Sequence, residues 1–237
     1  MLIITILDYY CYNSQKGVIY IIHPIKLAAG AKFAGVLEIP AIERQSRIVI
    51  PDSVVPFSER GQATASNAAV CFYEMDRKFS ELLTGADKYV DELRHFQAVI
   101  SPDCSMYRDA PLAEQIHSLY ISRAIGSYWQ RRGLYVIPNI RWGSEDTYTA
   151  SVLPERVAFA GIEKHSIVAV GSYGCIKHRE DRYHFQAGFA AMMETLEPET
   201  VLVYGAMPES IFGAYQMYTK LVHYDNWIKT RHERRAD

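Results

Sequence analysis

Residues 166–204, SIVAVGSYGCIKHREDRYHFQAGFAAMMETLEPETVLVY, decide the fold. The stretch opens with the β-branched run Ser166–Val170 and closes with a similar run, Thr200–Tyr204, and each predicts a short buried strand. Between them the apolar residues recur at helical spacing: Phe185, Phe189, Met192, Met193 and Leu196. Pro198 ends this helix, because proline cannot continue one. The order strand, helix, strand predicts a βαβ unit, whose two strands run parallel.

The same alternation of strands and helices extends toward the amino terminus. Three further runs predict strands: Val70–Tyr73, Gln97–Ile100 and Leu134–Pro138. Helical patterns fill the intervals, one from a predicted cap at Asp76 to just before His95, and one after Pro111 that Gly133 ends. Each interval is long enough for a strand, a helix and two loops.

The predicted fold class is therefore α/β, with a mainly parallel sheet of five or six strands and helices on both faces. A (β/α) barrel, or an incomplete one, is the alternative. Five units fall short of the eight of a full barrel, although strands from the amino-terminal segment can help to close one.

The sequence divides into three parts. Residues 1–49 contain the strand-like runs Leu2–Leu7, Val18–His23 and Arg47–Ile50, and they predict a β-rich appendage. Residues 50–228 form the α/β domain. Residues 229–237 are highly charged and lack an apolar period, so they predict a flexible tail.

Composition excludes several classes of protein. The 237 residues are 49% hydrophobic and 22% charged, which is ordinary for a globular chain and excludes a disordered one. The 25 Lys and Arg nearly balance the 27 Asp and Glu, so we expect neither nucleic acid nor a membrane surface as a partner. The four cysteines are widely spaced and the apolar start lacks a signal-peptide pattern, which predicts a cytoplasmic protein. The oligomeric state is left open.

Polar residues follow the predicted strands, and the carboxyl ends of parallel strands meet at one edge, where α/β proteins bind ligands. The candidate binding residues at this edge are Arg108, Asp109, Asn139, Arg141, Trp142, Ser172, Tyr173 and Lys177. Asp103 and Glu145 lie in the same loops. The loops at the opposite edge, such as 131–133 and 197–199, are typical of solvated turns.

Two of these loops suggest how an anion is held. The glycines of Gly171–Lys177 can bring backbone N–H groups to a phosphate beside Lys177, or they can simply form a tight turn. Arg141 can hold a phosphate or carboxylate while Trp142 stacks on a ring. Alternatively, Trp142 packs under its loop and Arg141 pairs with Glu145 or Asp109.

Asp103 and Glu145 are the candidate catalytic residues, because converging carboxylates can act as general acid and base. Asp103 can equally cap a turn. The scattered histidines contain no His-x-x-x-His pair, so we predict no metal site, and no particular cofactor is indicated. Cys175 and His178 lack the pattern of a catalytic pair, which favours an inert thiol.

Several motifs, in this order, resemble the family called domain of unknown function 4417. They span about residues 54–212: Ser101-Pro102-Asp103, Tyr107-Arg108-Asp109 with Pro111, Ser122–Gly126, Val136–Asn139, Arg141-Trp142-Gly143, Gly171–Lys177 and Val203–Gly205. The resemblance implies a bacterial or phage origin and a shared site, without naming a reaction. Cys104 stands where many relatives have an aromatic residue, and residues 1–49 match no motif of the family.

We hypothesise that the protein binds a small anionic ligand, either a nucleotide or a phosphorylated sugar, at the carboxyl edge of its sheet. Hydrolysis at phosphorus or at a glycosidic carbon would suit the residues there. The alternative is a non-catalytic protein of phages or mobile elements that sequesters a nucleotide signal or binds a host protein.

Overall fold

The structure is a computed structural model that describes residues 24–62, 65–227 and 229–230. A two-stranded antiparallel ribbon, β1 (Phe33–Ala34) and β2 (Ile39–Pro40), comes first among the strands. Seven parallel strands follow: β3 (Ser53–Pro56), β4 (Ala68–Cys71), β5 (Ala98–Ile100), β6 (Val136–Ile137), β7 (Ile167–Gly171), β8 (Thr200–Tyr204) and β9 (Lys220–Tyr224).

In the described part of the chain two long helices cover the strands, one short helix precedes β1, and four other short helices lie in the connections. The helices are α1 (Pro24–Leu27), α2 (Leu82–Gly85), α3 (Val90–Leu93), α4 (Leu112–Arg131), α5 (Glu145–Tyr148), α6 (Arg179–Leu196) and α7 (Glu209–Phe212). Gly133, at φ 83°, follows the end of α4 in the left-handed conformation that glycine adopts easily. Across the described residues, no helix is long and apolar enough to cross a membrane.

The parallel strands lie in chain order, β3-β4-β5-β6 in one sheet and β7-β8-β9 in the other. A single bridge joins the two sheets. The amide of Ile140 donates to the carbonyl of Ala169 at 2.8 Å, and the amide of Ala169 donates to the carbonyl of Pro138 at 2.9 Å. Sequential order with right-handed connections places every crossover on the same side of the strands.

One face of all seven strands contributes to a single buried cluster, in which the strand residues include Val54, Cys71, Ile100, Ile137, Ala169, Leu202 and Tyr224. A flat sheet would hold its first and last strands far apart, so the strands must curl around this cluster. Tyr224, at the end of β9, donates its hydroxyl to the carbonyl of Pro51, just before β3. The other strand face packs against α4 and α6.

The predicted α/β class with parallel strands is confirmed. All five predicted strands are present within a few residues, and β3 and β9 bring the number to seven. Because the helices cover one face and the strand residues of the other face fill an interior, the structure matches the incomplete barrel better than an open sheet with helices on both faces. The predictions missed β3 because its apolar run is only Val54 and Val55, between Ser53 and Pro56, and they missed β9 because it is partly exposed.

The helix predicted from Asp76 to His95 is broken into short helical pieces, and the predicted cap is wrong. The Asp76 carboxylate instead accepts hydrogen bonds from the amide and hydroxyl of Ser105, at 3.1 and 2.7 Å. Gly85 has an extended φ of −163° between two of the pieces. Apolar spacing alone did not reveal this break.

Residues 24–49 pack onto the α/β domain. Leu27 and Ile42 are buried in the same cluster as residues of α4. The predicted strand Arg47–Ile50 is absent. In this segment the Tyr135 hydroxyl donates to the carbonyl of Arg47 at 2.8 Å and accepts from the amide of Val49 at 2.9 Å. The predicted runs Leu2–Leu7 and Val18–His23, and the tail from residue 231, lie outside the described residues.

Candidate functional site

A chain of polar side chains closes the carboxyl end of the barrel interior. Tyr73, just after β4, donates its hydroxyl to Oδ1 of Asn139 at 2.9 Å. Nδ2 of Asn139 donates to Oδ1 of Asp103 at 2.8 Å, and Nη1 of Arg141 donates to Oδ2 of the same carboxylate at 3.1 Å. Three successive strand ends therefore contribute to one hydrogen-bonded row.

The backbone around Asn139 is fixed as firmly as its side chain. Its amide donates to the hydroxyl of Ser101 at 2.9 Å, and its carbonyl accepts from Nη1 of Arg123 at 2.7 Å. The Arg123 guanidinium is fully buried and also donates to the carbonyls of Ala158 and Ala160. Burial lowers the pKa of Arg123 to about 9. The buried Arg123 guanidinium therefore fixes the backbone of Asn139 by donating to its carbonyl.

Burial and the Asp103 charge together set the pKa values of the row. It raises the pKa of the Asp103 carboxyl, although the Arg141 charge and the Asn139 hydrogen bond act to lower it. Burial also raises the pKa of the Tyr73 hydroxyl, and the Asp103 charge adds to this, so the phenol stays neutral. The Asp103 charge raises the pKa of Arg141. Arg141 is therefore a permanent cation on the wall of the site.

Two adjoining hollows open above the row, and Tyr107, Arg141, Gly171 and Gly174 line both. The first hollow has a volume of about 420 Å³. Its other lining residues include Met106, Arg108, Asp109, Trp142, Cys175, Asp181 and His184. The second has a volume of about 500 Å³, and its other lining residues include Tyr73, Glu74, Asp76, Arg77, Asp103, Ser105 and Tyr173. Each volume is in the range that holds a small organic ligand.

Gly171 makes room for the row. A Cβ at this position would lie 2.5 Å from the ring of Tyr73, which is closer than real Cβ atoms approach other atoms. The Tyr73 ring also stacks on the ring of Tyr204, with the two centroids 4.9 Å apart. Only glycine at the end of β7 allows Tyr73 to point its hydroxyl at Asn139.

A family model described as a domain of unknown function (DUF4417) matches residues 31–225. The chain belongs to this family. The resemblance in the motifs of residues 54–212 is thereby confirmed. The match reaches further at both ends, so residues 31–49, which showed no family motif, lie within the family region. All the predicted site residues also fall inside it.

Two phage proteins are similar to the chain. The Gene 1 protein of Mycobacterium phage D29 is 29% identical over 148 residues, which are 62% of this chain and 52% of the phage protein. The Gene 1 protein of Mycobacterium phage L5 is also 29% identical over 148 residues, covering 62% of each chain. The chain therefore spans less than two thirds of the length of these curated relatives. No solved structure matches it.

The structure of this family member brings most predicted site residues to the cleft. Arg108, Asp109, Arg141 and Trp142 line the first hollow, and Asp103 and Tyr173 line the second. Asn139 is buried behind Asp103. Arg141 pairs with Asp103, whereas the sequence had suggested Glu145 or Asp109 as its partner. Arg108 pairs with two acidic residues of α6: Glu180 and Asp181.

Three predicted residues lie elsewhere. Glu145 is exposed at the start of α5, and Lys177 is exposed in its loop, and neither lines a hollow. Ser172 is buried, and its hydroxyl donates to the carbonyl of Ala206 at 2.6 Å, so it holds the loop instead of facing a ligand. Asp103 and Glu145 therefore do not converge as a pair of carboxylates.

Trp142 forms a wall of the first hollow. Its indole N–H donates to the carbonyl of His184 at 3.2 Å, and its ring packs beside Phe185. A Cβ on Gly188 of α6 would lie 2.3 to 2.4 Å from atoms of the indole ring. With only 9% of its surface exposed, the side chain has little ring face to offer a ligand. This is the packed arrangement that the sequence left as an alternative.

Tyr73 and Ser105 line the second hollow and were not predicted as site residues. Tyr73 was assigned to a strand and Asp76 to a cap, and both do follow β4. The position of Cys175 beside Arg141 was also missed. Burial raises the pKa of the Cys175 thiol although the Arg141 charge lowers it, so the thiol is not activated as a nucleophile.

Proposed function

We propose that the chain binds a small anionic ligand in the cleft above the barrel interior, with Arg141 as the residue that holds the anion. The observation that carries the proposal is the place of Arg141 on the wall common to both hollows, with Asp103 fixing its guanidinium. Arginine carries five N–H donors in a rigid fork, and the Arg141 side chain is 29% exposed. Donors therefore remain for a phosphate or carboxylate.

The geometry supports binding better than hydrolysis. The acid and base that the sequence suggested are separated, since Asp103 faces the second hollow and Glu145 is on the surface. The Asp103 carboxylate also accepts hydrogen bonds from both Asn139 and Arg141, so it serves to position these two side chains. A binding protein that sequesters its ligand fits these contacts, and the phage relatives agree with the hypothesis of a phage protein.

We expect Arg141→Ala to weaken binding of inorganic phosphate, ribose 5-phosphate and adenosine 5′-monophosphate by about 10-fold or more, because a hydrogen bond to a charged group contributes roughly 1.5–3 kcal/mol. Arg141→Lys keeps a positive charge beside Asp103 and removes only the planar fork. We expect it to weaken binding by a similar factor. Isothermal titration calorimetry measures each dissociation constant.

Lys177→Ala is the matched control, since Lys177 lies in a nearby loop but lines neither hollow. Its affinities should equal those of the wild type. Circular dichroism checks that each variant folds. The proposal is wrong if folded Arg141→Lys protein binds every compound as the wild type does, or if the wild type binds none of a panel of phosphates and carboxylates.

A further inference from the structure

We infer that the ligand is a nucleotide, with its phosphate in the first hollow and its base in the second hollow between Tyr107 and Tyr173. This inference rests on the proposed function and selects one of its two ligand classes. It follows from three features of the cleft: the aromatic rings that line it, the polar groups of the two hollows, and their common wall.

Two tyrosine rings on the second hollow are open to solvent. Tyr107 is 68% exposed and Tyr173 is 51% exposed, and both residues line this hollow. They come from different loops, after β5 and after β7. A base stacked on an aromatic side chain is worth roughly 1–3 kcal/mol, because every base has a flat π face. A phosphorylated sugar has no such face.

The other aromatic residues of the cleft are already engaged. Tyr73 stacks on Tyr204, and Trp142 packs against Phe185 and Gly188. Both side chains are at most 9% exposed. Tyr107 and Tyr173 are therefore the rings that can accept a base among the described residues of the two hollows.

The polar groups of the second hollow suit the edge of a base. The carboxylates of Glu74, Asp76 and Asp103 line the second hollow against the two cations Arg77 and Arg141. Lys78 pairs with Glu74 at 3.3 Å, so these charges are nearly balanced, and the carboxylate oxygens can accept N–H groups from the edge of a base.

The first hollow offers a phosphate two guanidinium groups. Arg108 and Arg141 balance Asp109 and Asp181 on its lining, and His184 adds a further polar group. Arg141 also lines the second hollow, so one ligand can place its phosphate on this guanidinium and extend its base across the common wall. A sugar between phosphate and base supplies that connection.

Calorimetry with the four common nucleoside 5′-monophosphates and with ribose 5-phosphate tests the inference. We expect at least one nucleotide to bind about 10-fold more tightly than ribose 5-phosphate. Tyr107→Ala and Tyr173→Ala should each remove most of that advantage, and Tyr173→Ala, which changes only the second hollow, should leave ribose 5-phosphate binding unchanged. Tyr107→Phe and Tyr173→Phe should keep it, because the ring remains.

Tyr183→Ala is the control, because Tyr183 is equally exposed at 67% but lines neither hollow. It should leave every affinity unchanged. If ribose 5-phosphate binds as tightly as every nucleotide, or if the two alanine variants keep the full nucleotide affinity, the inference is overturned while the role of Arg141 stands. If neither class of compound binds, the proposed function fails, and the inference fails with it.

Discussion

Replacing Arg123 by methionine is expected to lower the free energy of unfolding by about 4 kcal/mol, because two buried carbonyls and one partly buried carbonyl lose a charged donor. Those carbonyls belong to Ala158, Ala160 and Asn139. Methionine fills much of the volume but donates no hydrogen bond. Arg123 is completely buried, so water cannot replace the lost donors without opening the structure.

Urea unfolding measures this loss, with two variants for comparison. Arg123→Lys keeps the charge and can still donate to some of the three carbonyls, although its single ammonium group does not replace the guanidinium fork. Its loss of unfolding free energy should therefore be smaller than that of Arg123→Met. Arg132→Met removes an exposed arginine just beyond the end of α4, and we expect a change below about 0.5 kcal/mol. An Arg123→Met protein within about 1 kcal/mol of the wild type would show that the buried cation does not hold the strand ends.

The second large effect is expected from Gly171→Ala. In an ordinary strand this change is mildly favourable, because alanine loses less backbone entropy than glycine on folding. Here the new methyl group would overlap the Tyr73 ring. Overpacking typically costs about 1–3 kcal/mol, and loss of the Tyr73 to Asn139 hydrogen bond adds about 1 kcal/mol. We expect a total loss of about 3 kcal/mol, measured by urea unfolding.

A double-mutant cycle identifies the cause. Tyr73→Ala removes the ring that alanine at 171 would meet, so Gly171→Ala should cost little in that background. Gly61→Ala is the matched control, since nothing lies within 4 Å of a Cβ there. Equal losses from Gly171→Ala with and without the Tyr73 ring would mean that this contact does not decide the packing.

The strand positions could be predicted because a buried parallel strand needs a continuous apolar run. Thr200–Tyr204 is such a run, and its predicted bounds equal those of β8. β9 was missed because Lys220 and His223 are exposed, which interrupts the apolar pattern. The barrel curvature could not be read from these local patterns, because it depends on strand order and on contacts between distant strands.

Part of the site could also be predicted from the sequence. Side chains alternate between the two faces of a strand, and this alternation continues beyond the end of β6. Ile137, Asn139 and Arg141 face the interior and its mouth, while Trp142 packs toward α6. Extending the alternation would have separated Trp142 from the ligand-facing residues.

The pairing of Arg141 could not be predicted in this way. Asp103 follows Pro102, which interrupts the regular strand, so its side-chain direction depends on the loop geometry. Asp103, Asp109 and Glu145 all lie at the same edge, and sequence gives no distance to choose among them. The structure does so, because Asn139 and Arg141 both bond Asp103.

Hydrogen exchange tests the central claim, that the strand ends form one ligand-binding cleft. Mass spectrometry would compare amide exchange with and without the tightest-binding nucleotide of the calorimetric panel. We expect slower exchange in residues 103–110 and 171–178, and no change in 193–199 at the opposite edge. Protection at the opposite edge, with none in the two cleft loops, would contradict the claim.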